Sequence, residues 1–239
     1  MKTDSIILAT LTVATSLLAG ILCWQGVASW LEAVSFVTGA VCVWLTVKEN
    51  VWNFPIGLLN VATFVFVFAK AHLFGDAGLQ VVYFVLTLIG WYLWLYGGER
   101  HTGLRVVRAS TLENALVVGI CGALTVLLWQ LLPKVGGSAS FWDALTTAIS
   151  LGAQWLLNRK RLENWIAWIV VDVIYVPLYL YKGLYLTAIL YAVFLAMAVM
   201  GLRAWHAKWV ELQSQRGFDV VGAEDIPFAQ EATRGVEAP

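Results

Sequence analysis

The stretch FWDALTTAISLGAQWLLNRKRLENWIAWIVVDVIYVPLYLY, running from Phe141 to Tyr181, decides the fold. It consists of two apolar runs, Phe141–Asn158 and Asn164–Tyr181, on either side of a basic turn, Arg159-Lys160-Arg161. At a rise of about 1.5 Å per residue, a run of roughly 18 residues reaches across most of a hydrocarbon layer about 30 Å thick. Neither run has the broad polar stripe of a helix lying on a soluble core. The pattern predicts two membrane-crossing helices joined by a short, positively charged turn.

Six further apolar blocks extend this pattern along the chain: Ser5–Trp24, Trp30–Val47, Phe54–Lys70, Ala77–Gly97, Leu112–Leu132 and Leu184–Trp205. The composition agrees. Apolar residues make up 60% and charged residues 13%, against about 45–50% and about 25% in soluble domains. One core in a chain of this size cannot hide that surplus, so the expected class is an all-α polytopic membrane protein. The block after Lys2 has the look of a signal peptide, but it is long and lacks a small-x-small cleavage site, so an uncleaved helix is expected. The segment after His206, with Gly217, Gly222, Pro227 and Pro239, is expected to be a loosely ordered tail.

Net charge is zero, yet the charges are not evenly placed. Threading eight crossings puts Lys2, Lys48, Arg100, Arg105, Arg108, Arg159, Lys160, Arg161, Arg203, Lys208, Arg216 and Arg234 on one face. The other face receives only Lys70, Lys134 and Lys182. Because cytoplasmic loops are enriched in Lys and Arg, both termini are expected in the cytoplasm.

The chain also repeats itself. Shifted by 111 positions, residues 30–94 fall on 141–205 without a gap. Trp44 meets Trp155, Lys48 meets Arg159, Asn53 meets Asn164, Phe54 meets Trp165, Gly90 meets Gly201 and Trp94 meets Trp205. The offset spans four crossings, an even number, so the two three-helix units point the same way through the membrane. The expected layout is an extra amino-terminal helix (1–25), a first unit (30–97), a loop and linker helix (98–140), a second unit (141–205) and a tail (206–239).

Polar groups inside a bilayer are costly, so their positions mark candidate binding residues. Gln80, Tyr83, Thr87, Trp91 and Trp94 share one helical face, as do Tyr191, Phe194, Gly201 and Trp205 in the matching helix. Asn60 lies on a face with Gly57, Phe64 and Phe68. Trp165, Trp168, Asp172, Tyr175 and Tyr179 form the corresponding stripe in the second unit, and Ser150, Gln154 and Asn158 line the helix before it. Trp24, Trp30, Trp129, Trp205 and Trp209 fit an interfacial belt, and Asn53 and Asn164 fit helix caps. Asp172 fits no such reading: near mid-helix an acid costs roughly 2.5–3.5 kcal/mol on insertion scales, and no basic residue lies at its depth. Aromatic faces and amides around an acid suit a flat cation bearing a carboxamide or hydroxyls. The three cysteines and three histidines form no ligand cluster, no phosphate-cradling glycine loop occurs, and nothing points to nucleic acid.

At these positions the sequence resembles the PnuC family of nicotinamide riboside transporters. The resemblance rests on Trp30-Leu-Glu32, Phe54-Pro-Ile-Gly57-Leu-Leu-Asn60, Leu79-Gln80, Gly90-Trp91-Tyr92-Leu93-Trp94, Phe141-Trp142-Asp143 and Arg159-Lys160-Arg161-Leu-Glu163-Asn164-Trp165-Ile-Ala-Trp168, and covers about residues 30–205. It implies a three-one-three helix fold like that of the SWEET sugar facilitators and a homotrimer in the bacterial inner membrane. It also implies facilitated diffusion without a cofactor, drawn inward by a cytoplasmic kinase that phosphorylates nicotinamide riboside. The expected solute-binding residues are Asn60, Gln80, Tyr83, Trp94, Gln154, Asn164, Trp165, Trp168, Asp172 and Tyr191. Uptake of thiamine or riboflavin by the same fold, proton coupling through Asp172, and a membrane enzyme or scaffold are the alternatives.

Overall fold

The computed structural model describes residues 2–26, 30–70, 74–131, 141–181 and 185–224. Among them are eight α-helices: α1 Lys2–Trp24, α2 Trp30–Val47, α3 Asn53–Lys70, α4 Phe74–Tyr96, α5 Thr111–Leu131, α6 Phe141–Asn158, α7 Asn164–Tyr181 and α8 Tyr185–Glu224. A single 3-10 turn spans Glu99–His101. Lys134, Lys182 and Arg234 lie outside the described residues, as do the side chains of Lys2, Glu32, Phe68, Lys70, Thr187 and Arg216.

The apolar blocks and the helices coincide closely except at the end of α8, which continues well past Trp205 to Glu224. The loose tail expected after His206 is therefore corrected over its first part. No Gly or Pro interrupts residues 206–216, and Ala, Lys, Glu, Leu, Gln and Arg there all favour helix. Three contacts also hold this part in place: Trp209 packs on the core, Arg108 lies 5.8 Å from the Trp209 ring, and Lys208 Nζ lies 3.3 Å from Glu49 Oε1.

Length and composition let four helices cross a membrane, over Gly78–Tyr96, Thr111–Leu131, Asn164–Tyr181 and Ala188–Gln215, and shorter apolar helices run over Ile6–Ile21, Ala33–Val47 and Asn53–Phe66. The outward surface is apolar. On α5 only Thr125 is buried, while Leu112, Leu116, Val118 and Ile120 are exposed. A soluble monomer rarely leaves so continuous a greasy face to water, whereas lipid accepts it, with every backbone group paired inside its own helix. Polarity turns inward instead: Thr146, Ser150 and Asn158 of α6 are buried.

Within each half, consecutive helices pack together: α2 on α3 on α4, and α6 on α7 on α8. The halves meet where α2 touches α8 and α4 touches α6, a pair of contacts that the 111-residue offset exchanges. The same offset carries α5 back onto the region of α1, and the packing agrees, since α1 lies against α2 as α5 lies against α6. α1 uses a narrow face for this, burying Leu8, Thr12, Thr15 and Ala19 at helical spacing.

The correspondence reaches individual hydrogen bonds. In the α2–α3 turn, Lys48, Glu49 and Asn50 donate their N–H groups to the carbonyls of Trp44, Thr46 and Leu45. In the α6–α7 turn, Arg159, Lys160 and Arg161 donate to Trp155, Leu157 and Leu156, the same set displaced by 111. Glu49 and Lys160 both adopt left-handed backbone conformations, with φ of 54° and 51°. A non-glycine side chain rarely occupies that region, so its recurrence at matched positions marks one turn geometry built twice. Leu104–Ala109 lies as a strap along the second turn: Val107 N–H donates to Lys160 O at 3.2 Å, and Leu162 N–H donates to Val107 O at 2.9 Å.

Candidate functional site

Two polar and aromatic layers occupy the interior. The first lies at the end of the helices nearest the basic turns. Here Trp94 Nε1 donates to Leu157 O at 3.0 Å, and Trp205 Nε1 donates to Thr46 O at 3.3 Å. Phe54 meets Trp94 edge to face at 5.0 Å, and Trp165 meets Trp205 edge to face at 5.5 Å. Gly90 and Gly201 make room for these rings. A Cβ at Gly90 would stand 2.7 Å from Phe54 Cε1, and one at Gly201 would stand 2.6 Å from three atoms of Trp165. Asn158, fully buried, closes the layer: its Nδ2 donates to Leu86 O at 2.7 Å and its Oδ1 accepts from Gln154 Nε2 at 3.0 Å.

The second layer lies deeper. Asp172 is eight residues into α7, about 12 Å along the helix axis, and only 5% exposed. Tyr175, one turn on, has its ring centroid 4.7 Å from Tyr191 of α8, and Tyr179 stacks on Tyr191 at 5.2 Å and 15°. Phe194 adds an edge 6.0 Å from Tyr191. Asp172 is close enough to Tyr175 and Tyr191 to interact electrostatically with both. Across the interior, Tyr83 of α4 lies within electrostatic reach of Tyr175 and beside Ser150 of α6. Asn60 of α3 completes the ring: its Nδ2 donates to Ser35 O at 2.6 Å and Thr38 Oγ1 at 2.9 Å, beside Gly39, whose Cβ position lies 3.6 Å from Phe194. Among the described residues, no cation pairs with Asp172.

The residues singled out from sequence therefore divide. Tyr83, Asp172 and Tyr191 come together in the deeper layer, with Asn60 at its edge. Trp94, Asn164 and Trp165 lie in the layer at the basic turns, where neighbouring rings and carbonyls occupy their surfaces. Asn164 donates its Nδ2 to Arg161 O at 2.6 Å, and its Oδ1 meets no donor, so it does not cap α7 in the usual way. Trp168 packs on the core, Gln154 bonds to Asn158, and Gln80 is half-buried on α4. Tyr175, Tyr179 and Phe194, placed on these helical faces from sequence but left out of the expected solute-binding set, also belong to the deeper layer. The signal was present, since Asp172, Tyr175 and Tyr179 recur at helical spacing.

Charge gathers at the basic turns. Lys160, 7% exposed, donates to Glu49 Oε2 at 3.0 Å, and its ammonium lies 4.3 Å from the Trp94 ring centroid. Burial pulls the Lys160 ammonium below the usual lysine range, with the Glu49 carboxylate acting in the opposite sense. Glu113 receives Arg161 at 3.0 Å and Arg159 at 3.7 Å, and Glu163 receives Arg108 at 3.2 Å. A cavity of about 340 Å³, lined by Glu49, Leu104, Arg105, Val106, Lys208, Leu212 and Gln215, opens beside these pairs and shares no residue with the tyrosine layer.

Residues 29–207 match the family described as nicotinamide mononucleotide transporter. The chain belongs to this family. It is 29% identical over 203 residues to the nicotinamide riboside transporter PnuC of Escherichia coli, a match covering 74% of this chain and 85% of that protein. It is 28% identical over 180 residues to the riboflavin/roseoflavin transporter RibM of Streptomyces davaonensis, covering 74% and 84%. The fold is shared with the crystal structure of the vitamin B3 transporter PnuC, at a TM-score of 0.69 and 24% identity, over 86% of this chain and 92% of that one. The protein is thus an integral membrane transporter of this family, and the family is one of carriers rather than enzymes.

Proposed function

We propose that this transporter carries nicotinamide riboside by facilitated diffusion and binds it at the layer formed by Asp172, Tyr83, Tyr175, Tyr179 and Tyr191. One observation carries the reading: a buried carboxyl group among tyrosine rings, with no cation paired to it among the described residues. A pyridinium ring between such faces gains about 0.5–2 kcal/mol per cation–π contact, and the carboxylate supplies the counter-charge. Ser150, Thr146 and Asn60 offer hydroxyl and amide groups for a ribose or carboxamide. The same charge pattern favours the nucleoside over its phosphorylated form, because a phosphate beside Asp172 would be desolvated next to a like charge. The relatives named for nicotinamide riboside support this choice.

Several finer features belong to the proposal. The chain is a three-one-three carrier of the SWEET type preceded by α1, and it assembles as a homotrimer in a bacterial inner membrane. Both termini are cytoplasmic, as the distribution of Lys and Arg supports. A cytoplasmic kinase traps the imported nucleoside.

Isothermal titration of purified protein against nicotinamide riboside, nicotinamide mononucleotide, thiamine and riboflavin tests the substrate. Saturable binding of nicotinamide riboside, weakened in Asp172→Asn, is expected. Preference for riboflavin would move the chain to the reading suggested by its RibM relative. Uptake into liposomes is expected to stop at equal concentrations with or without a pH gradient. Accumulation above that level would make Asp172 a proton site instead.

A further inference from the structure

Between the tyrosine layer and the basic turns lies a closed wall: first Asn158 and the rings of Phe54, Trp94, Trp165 and Trp205, then the Glu49–Lys160 pair. The pair has three unusual properties. Its members occupy equivalent positions of the two halves, 111 residues apart. Both sit on left-handed turn residues, which fixes the direction in which their side chains leave the backbone. Lys160 is buried, and its ammonium also lies over Trp94, the ring that donates across to the other half. The pair therefore joins the two halves where helix packing alone would leave a seam.

We propose that Glu49 and Lys160 form the latch that keeps the carrier closed toward the face of the basic turns, and that transport requires the two side chains to part. The inference rests on the carrier reading above, yet it concerns opening and not the identity of the solute. A buried, charge-assisted hydrogen bond biases an open–closed equilibrium, and its loss shifts the population toward the open state. Lys208 shares Glu49 at 3.3 Å and lines the adjoining cavity, so Glu49 has a second partner ready when Lys160 leaves.

The test uses the full-length protein in membrane vesicles, with Cys23, Cys42 and Cys121 changed to Ala and one reporter cysteine introduced as Ser150→Cys. A membrane-impermeant methanethiosulfonate reagent is applied to each side in turn. Glu49→Gln and Lys160→Met are expected to raise labelling from the basic-turn side by roughly tenfold, the scale set by one charged hydrogen bond. The exchange Glu49→Lys with Lys160→Glu, made together with Lys208→Gln to remove the crowding ammonium, is expected to restore slow labelling, because the two positions are images of each other. Unchanged labelling in both single variants, or fast labelling that persists in the exchange, overturns the latch. Fast labelling in the variants, with no nicotinamide riboside uptake by the parent protein that keeps Ser150, Glu49 and Lys160, would leave the latch standing and defeat the substrate reading alone.

Discussion

Trp94 and Trp205 lie 5.9 Å apart, ring to ring, and each donates its indole N–H to a backbone carbonyl at the end of a helix in the opposite half. The acceptors, Leu157 and Thr46, are themselves related by the 111-residue offset. Two crossed bonds thus fasten α4 to α6 and α8 to α2. Trp94→Phe and Trp205→Phe keep most of the ring but leave a buried carbonyl without its donor. Each is expected to cost about 1–2 kcal/mol, and the double variant less than the sum, since the rings touch. Denaturant or thermal unfolding in detergent measures both.

Gly90 and Gly201 tolerate no Cβ without displacing an aromatic ring. Gly90→Ala and Gly201→Ala are each expected to destabilise the protein by about 1–3 kcal/mol through overpacking. At Gly122, by contrast, an added methyl meets nothing within 4 Å, so Gly122→Ala serves as a control that leaves the unfolding temperature level or raises it. Equal effects at all three positions would contradict the packing described.

Solute affinity should separate ring from hydroxyl. Tyr191→Phe retains the stacked face and is expected to bind nicotinamide riboside within a few-fold of the parent, whereas Tyr191→Ala and Asp172→Asn lose on the order of tenfold or more, in keeping with a cation–π contact and a counter-charge. Calorimetric titration reads the difference.

Lys160 carries a pH signature. Its folded-state value lies below the ordinary 10.5, so between that lowered value and 10.5 the unfolded chain binds more protons, and this group's contribution to stability rises with pH. Lys160→Met removes the effect. The gap in unfolding temperature between parent and variant should therefore move in the parent's favour as pH climbs through that window; a constant gap would contradict it.

Much of this was legible in the residues. Long apolar runs interrupted by basic turns revealed the helices, because a bilayer leaves a chain few other ways to pair its backbone. The match of Trp94 with Trp205 and of Gly90 with Gly201 pointed to a repeat, and the hydrogen bonds of the two turns recur at the same offset. What each matched residue touches was not legible, since a sequence offset says nothing about what lies across the axis. Trp94 and Trp165 stood among the expected solute-binding residues; that their ring faces meet Phe54 and Trp205 in the layer at the basic turns could not be read from sequence. The helical course of residues 206–224 was hidden by Gly217, Gly222 and Pro227, residues near or beyond the segment that Lys208 and Trp209 anchor. Tyr175 and Tyr179 were visible as a stripe, but only α8, bringing Tyr191 against them, turns that stripe into an enclosure.

The meeting of Glu49 with its own counterpart, Lys160, restricts how such a molecule can be built. Side chains that face each other across an axis of near-symmetry attract only when the two halves differ there. A carrier assembled from two identical half-chains would bring two carboxylates, or two ammonium groups, into contact at the same point. The joined chain escapes that repulsion by giving each half one sign, and the halves are for that reason no longer interchangeable.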